Sequence, residues 1–132
     1  MRRIALALAA TAAMVSFAHA QTPTTATTSE VFVVAKPTDV LSYNLVGLNI
    51  TNPQDETIGE IRDLIISDGL LSGYIVSVGG FLGIGEKYVI VSPASVDVVY
   101  SEPDNKWSAR IDTTKEALQS APEFKYEGRW AK

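Results

Sequence analysis

The sequence predicts a mainly β fold, a small antiparallel barrel with one short C-terminal helix, and three observations lead there. Apolar, β-branched segments recur along the second half of the chain, separated by turn residues and with no helical pattern between them. Asp68-Gly69, flanked by Ile65-Ile66 and Leu70-Leu71, is the strongest hairpin signal, because a type I′ turn needs positive φ at both central positions. A chain of 132 residues, 20% charged and 46% hydrophobic, supports about one domain. In a β domain that small, curling the sheet shut removes exposed edges.

Met1-Arg2-Arg3 precedes an uncharged run from Ile4 to Phe17, and Ala18-His19-Ala20 supplies a small-x-small cleavage pattern. Residues 1–20 therefore read as a signal peptide, too short in their apolar run for the roughly 20 residues of a membrane span. Residues 21–40 read as a flexible Thr-rich linker, with Glu30–Ala35 an apolar patch able to add an edge strand before Pro37. The barrel domain is expected over 41–124 and an aromatic-basic tail over 125–132.

Within the domain, Leu45–Ile50 is a first strand, and Asn52-Pro53-Gln54-Asp55-Glu56 turns the chain into a second running from Thr57 to Ser67. Gly59 inside that strand predicts a bulge or bend. After Asp68-Gly69 a third strand places Tyr74, Val76 and Val78 on one face, with Ile75 and Ser77 on the other. Lys87–Ser92, Val96–Tyr100 and Lys106–Ile111 complete the set, the last two joined by a turn at Pro103-Asp104-Asn105. Thr113 with Glu116 three residues on predicts a capping box for a helix of about two turns that Pro122 ends and whose Leu118 packs on the barrel.

Composition excludes most familiar chemistry. The chain has no cysteine, and its one histidine lies in the leader. Thiol nucleophiles, disulfide scaffolds, zinc fingers and Ser-His-Asp triads are therefore absent from the mature protein. The formal charge of −4 becomes two units more negative once the leader's arginines are removed, which disfavours nucleic acid. The glycine-rich stretch from Gly79 to Lys87 invites a phosphate-loop reading, which fails: Glu86 and Lys87 stand where a Walker loop needs Lys and Ser or Thr, and a strand follows where a helix is required. Its glycines instead allow unusual backbone geometry, while Phe81, Leu82 and Ile84 either plug one end of the barrel or stay exposed as a contact surface. Glu60 with Asp63, and Asp55 with Glu56, are the only carboxylate pairs worth weighing for acid–base work. Their places in a turn and on an outer strand face argue against it.

Ile58-Gly59-Glu60-Ile61-Arg62-Asp63-Leu64, Asp68-Gly69, and the run from Val78-Gly79-Gly80-Phe81-Leu82-Gly83-Ile84-Gly85-Glu86-Lys87-Tyr88 to Val91 together resemble the PRC-barrel family, over about Leu45 to Tyr100. Gly59, Gly79, Gly80, Gly83, Gly85, Glu86 and Lys87 are the motif positions. The resemblance implies a small β-barrel that mediates assembly and carries no catalytic residues.

The expectation is thus an exported, periplasmic or secreted, non-enzymatic module acting by protein contact with itself, as a possible homodimer, or with an envelope partner. Phe81, Leu82, Ile84, Tyr126 and Trp130 are the candidate contact residues. No cofactor, metal, nucleic acid or stable membrane insertion is expected. A small-ligand site at the barrel mouth is the alternative, and a carboxylate hydrolase comes third.

Overall fold

The structure is a computed structural model that describes residues 31–79 and 85–132. The chain divides between Ala35 and Lys36. Of the first part, 31–35 belong to no strand, in contrast to the expected edge strand, and the side chains of Val31 to Val34 are 82–89% exposed.

The second unit, Lys36–Lys132, contains α1 (Ser42–Leu45), β1 (Asn49–Thr51), β2 (Thr57–Ser67), β3 (Leu70–Val78), β4 (Lys87–Val91), β5 (Val96–Ser101), β6 (Lys106–Ile111) and α2 (Lys115–Ser120), with short 3-10 turns at Pro93–Ser95 and Gly128–Trp130. Six strands form one sheet in the order β4-β3-β2-β1-β6-β5. The sheet differs from an antiparallel barrel in two ways. The β1–β6 pair is parallel, because β1 is inserted between the β2 hairpin and the returning β5–β6 hairpin. The edge strands β4 and β5 also do not pair, so no ladder closes the cylinder.

The sheet is nevertheless strongly curled. Five strand spacings would separate β4 from β5 by about 24 Å if the sheet were flat. The covalent link from Val91 to Val96 crosses that gap with four residues, one turn of them 3-10, and reaches less than about 19 Å. Two bulges in β2 supply part of the curl: the register with β1 skips Ile58, and the register with β3 skips Arg62. The result is one core on the concave face, drawn from every strand: Ile50, Ile58, Ile61, Tyr74, Val76, Val78, Val89, Val96, Ala109 and Ile111, with Leu45 of α1 and Leu118 of α2 as plugs.

Local chemistry accounts for the joints. Asp68 and Gly69 have φ of 50° and 79°, as a type I′ turn requires. At the β1–β2 turn, buried Asn52 accepts hydrogen bonds at Oδ1 from Gln54 N (3.0 Å) and Glu56 N (2.9 Å). The first strand begins at Asn49 rather than Leu45, because α1 occupies Ser42–Leu45 and Gly47 at φ 95° breaks the extended path. The α2 cap is Thr114, not Thr113: its Oγ1 accepts from Ala117 N at 3.0 Å, so no capping box with Glu116 forms.

Strand lengths are unequal, and this shapes the surface. The β1 ladder on β2 stops at Glu60 and the β4 ladder on β3 stops at Tyr74. Beyond them the β2–β3 hairpin continues as a two-stranded ribbon to its tip at Asp68-Gly69.

Candidate functional site

The convex face of β2, β3 and β4 would be exposed in a bare barrel, yet Ile75 and Ser77 on it are only 4% and 6% accessible. Phe124, Tyr126 and Trp130 of the segment following α2 lie beside Ile75, and Ser77 lies beside Glu86. Lys87 fixes where that segment starts: its ammonium donates to the carbonyls of Gln119 (2.5 Å) and Ala121 (2.7 Å), groups that the end of a helix leaves without intrahelical partners. Phe124 N then donates to Tyr88 O at 2.7 Å, forming an antiparallel bridge on the outer edge of β4. Extended backbone alternates its side chains, so Phe124 and Tyr126 turn inward and Lys125 outward. The Tyr126 ring meets Tyr88 and Phe124 edge to face, with both centroid separations 5.1 Å, and Phe124 leans on Trp130 at 5.8 Å. Edge-to-face contacts of this kind add about 0.5–1.5 kcal/mol each beyond the area they bury.

Beside the rings a groove of about 460 Å³ stays open, lined by Asp63, Ile65, Ile75, Ile90, Tyr126 and Trp130 among others. Two polar features border it. The Tyr126 hydroxyl donates to Asp63 Oδ2 at 3.4 Å, and Lys132 Nζ lies 4.2 Å from the centroid of the Tyr126 ring. Burial first, and the Asp63 carboxylate second, push the Tyr126 hydroxyl up to about 12 from its ordinary 10.0. The folded protein therefore holds this proton more tightly than the unfolded chain. The linked stability is intact below pH 10 and is lost as the pH rises toward 12. Melting temperatures measured across that interval are expected to fall more steeply for the wild type than for Tyr126→Phe, and equal slopes would contradict the assignment.

A second cluster adjoins the first. Arg62, the bulged residue of β2, donates from Nη2 to Glu86 Oε1 at 2.7 Å and stands 3.8 Å from Glu60, while Tyr88 donates its hydroxyl proton to Glu86 Oε2 at 2.9 Å. Tyr88 first and Arg62 second hold the Glu86 carboxyl below its usual range. The hydrogen bond to Glu86 foremost, then Coulomb attraction to Glu60, raise Arg62. These groups are half exposed, so the cluster orients the start of β4 more than it stabilises the fold.

The structure places the sequence-nominated residues as follows. Tyr126 and Trp130 come together on the groove, and Glu86 and Lys87 become anchors of neighbouring elements. Gly59 lies in the buried run of β2, Gly79 ends β3 with φ 86°, and Gly85 precedes β4. Gly80, Phe81, Leu82, Gly83 and Ile84 lie outside the described residues. Each weighed carboxylate has a neighbour: Asp55 pairs with Arg110 at 2.7 Å, Glu56 accepts from Asn52 at 3.2 Å, Glu60 faces Arg62, and Asp63 accepts at Oδ1 from Leu64 N at 2.9 Å and at Oδ2, among the described residues, only at 3.4 Å from Tyr126. Among the described residues no group of three or more His, Cys, Asp or Glu could hold a metal ion, and no helix is long and apolar enough to cross a membrane. Sequence reasoning missed the groove, the Lys87 anchor and the Arg62–Glu86–Tyr88 cluster. The alternation at Phe124-Lys125-Tyr126 is the one signal that pointed toward them.

No curated protein matches the chain. The family model of the PRC-barrel domain matches residues 37–118, a span that takes in α1, all six strands and the start of α2. With most of its length matched and a mainly β sheet curled around one core, the chain belongs to the PRC-barrel domain family.

Proposed function

We propose that this protein is an exported, non-catalytic module, built on a curled six-stranded mixed sheet, that works by protein–protein contact with a second copy of itself or with an envelope partner. The overhanging β2–β3 ribbon carries this reading. Past Glu60 and Tyr74 the hairpin has no neighbouring strand, yet it presents Ile66, Leu70 and Leu71 at 61%, 73% and 39% exposure. A two-stranded ribbon is marginal in water by itself, and polar side chains would serve there equally well for folding. Apolar groups on its exposed tip, beside unpaired backbone, suit a surface that a partner covers.

Two further features support the proposal. The family's implied role is assembly, and three of the four carboxylates weighed for acid–base work, Glu60, Asp55 and Glu56, are engaged by Arg62, Arg110 and Asn52. The leader-like Met1–Ala20 supports export.

Size-exclusion chromatography with light scattering tests self-contact. The wild type is expected to shift from monomer to dimer with concentration. The double variant Leu70→Asp, Leu71→Asp is expected to stay monomeric at the same concentrations with its melting temperature nearly unchanged, since both side chains are already exposed. A dimer that survives the double variant would remove the ribbon as its interface.

A further inference from the structure

We infer that the groove on the convex face of β2–β4 is a binding site for a small organic ammonium ion with an apolar body. This inference does not rest on the protein-contact reading: Ile66 borders both surfaces, but Leu70 and Leu71, the residues that test that reading, do not line the groove. At about 460 Å³ the groove falls within the range of roughly 300–1,000 Å³ usual for small-molecule sites. Ile65, Ile75 and Ile90 give it an aliphatic floor, and Phe124, Tyr126 and Trp130 give it an aromatic wall.

Its polar groups specify the ligand's charge. Asp63 is the anion of the lining. Its Oδ1 accepts from Leu64 N at 2.9 Å, but Oδ2 has, among the described residues, only the long 3.4 Å contact from Tyr126 and so keeps acceptor capacity facing an apolar space. The second observation is Lys132. Its ammonium rests over the Tyr126 ring with no carboxylate at ion-pair distance among the described residues. A cation is thus already seated on this wall, supplied by the chain itself. A free ammonium would replace it, donating to Asp63 Oδ2, placing its charge against the Tyr126 face and laying its carbon skeleton over Ile75 and Ile90. An anionic ligand would face Asp63 instead, and a neutral hydroxyl can donate to Oδ2 but without the charge that strengthens the bond. The negative charge of the whole chain favours the cation further.

The test is a titration of the full chain with 2-phenylethylammonium chloride, followed by amide NMR shifts around Asp63, Ile75, Ile90 and Tyr126. 2-Phenylethanol serves as the neutral counterpart. Saturable shifts are expected in the groove, with the ammonium bound at least about five-fold more tightly than the alcohol, the ratio that one solvent-exposed cation–π contact supplies. Asp63→Asn is expected to reduce that preference to what the Tyr126 ring alone supplies. Lys132→Ala, which vacates the ring, is expected to tighten the ammonium by about two- to five-fold. The proposal is overturned if wild-type shifts do not saturate, if the alcohol binds as tightly as the ammonium, or if Lys132→Ala weakens ammonium binding.

Discussion

Gly59→Ala is expected to lower the stability of the domain by about 2–3 kcal/mol, the usual range for forcing an extra methyl into a well-packed core. A Cβ at this position would stand 2.6 Å from Val76 Cγ1 and 3.1 Å from the carbonyl oxygen of Ser77. Neither neighbour yields easily. Val76 is fully buried and stiff about its branched Cβ, and the Ser77 oxygen belongs to the backbone of β3, which is paired on both sides. In a domain of this size the loss corresponds to a fall in melting temperature of roughly 10–20 °C. Gly85→Ala provides the internal comparison, because a Cβ there meets nothing within 4 Å and the residue does not adopt a left-handed backbone. That variant should melt with the wild type. Equal melting of all three proteins would show that Gly59 is not needed for close approach of β2 to β3.

Ile61→Ala is expected to cost about 3–4 kcal/mol, within the span measured for emptying a buried aliphatic site. Ile61 is fully buried, pairs with Val76 across the β2–β3 ladder, and exchanges backbone contacts with the α1–β1 segment through Gly47 N to Ile61 O (2.7 Å) and Ile61 N to Leu48 O (2.9 Å). The neighbours that would have to collapse into the void are themselves strand residues held in register, so relaxation is limited. Ile90→Ala, at 48% exposure on the convex face, should cost less than about 1 kcal/mol. Chemical denaturation of the two variants gives the contrast directly, and a reversed order would place the core on the wrong face of the sheet.

Short-range features were legible in the sequence. The Asp68-Gly69 turn depends on two adjacent residues, and the alternation Tyr74, Val76, Val78 against Ile75, Ser77 depends on five. Both appear as read, although Ile75 and Ser77 are buried as well. Features set by distant partners were not legible. The parallel seating of β1 beside β6 needs Ile50 to find Ala109, and nothing local to either residue encodes it. The open edges have the same origin, since closing the cylinder depends on where β4 and β5 end relative to each other. α1 is four residues long, below what its own sequence can nucleate, and exists because Leu45 enters the core. Thr113 and Thr114 offer the same hydroxyl one residue apart, and only the geometry of the first turn selects Thr114.

The candidate site divides in the same way. Tyr126 and Trp130 stand out as aromatics in a basic tail, but their seat follows from Lys87 capturing the end of α2, a contact 32 and 34 residues distant in sequence. The ribbon's overhang is a comparison of strand lengths, eleven and nine residues against three and five, so it emerges only when the neighbours are known.

Site-specific photo-crosslinking tests the central claim most directly. A photoreactive residue is placed at Leu70 on the ribbon tip, and in a separate protein at Asp97, an exposed position on β5. Illumination of envelope preparations should give a discrete adduct, homodimeric or heterologous, at position 70 and none at 97. Adducts absent from position 70, or formed equally at both positions, would contradict the ribbon as the surface through which this protein works.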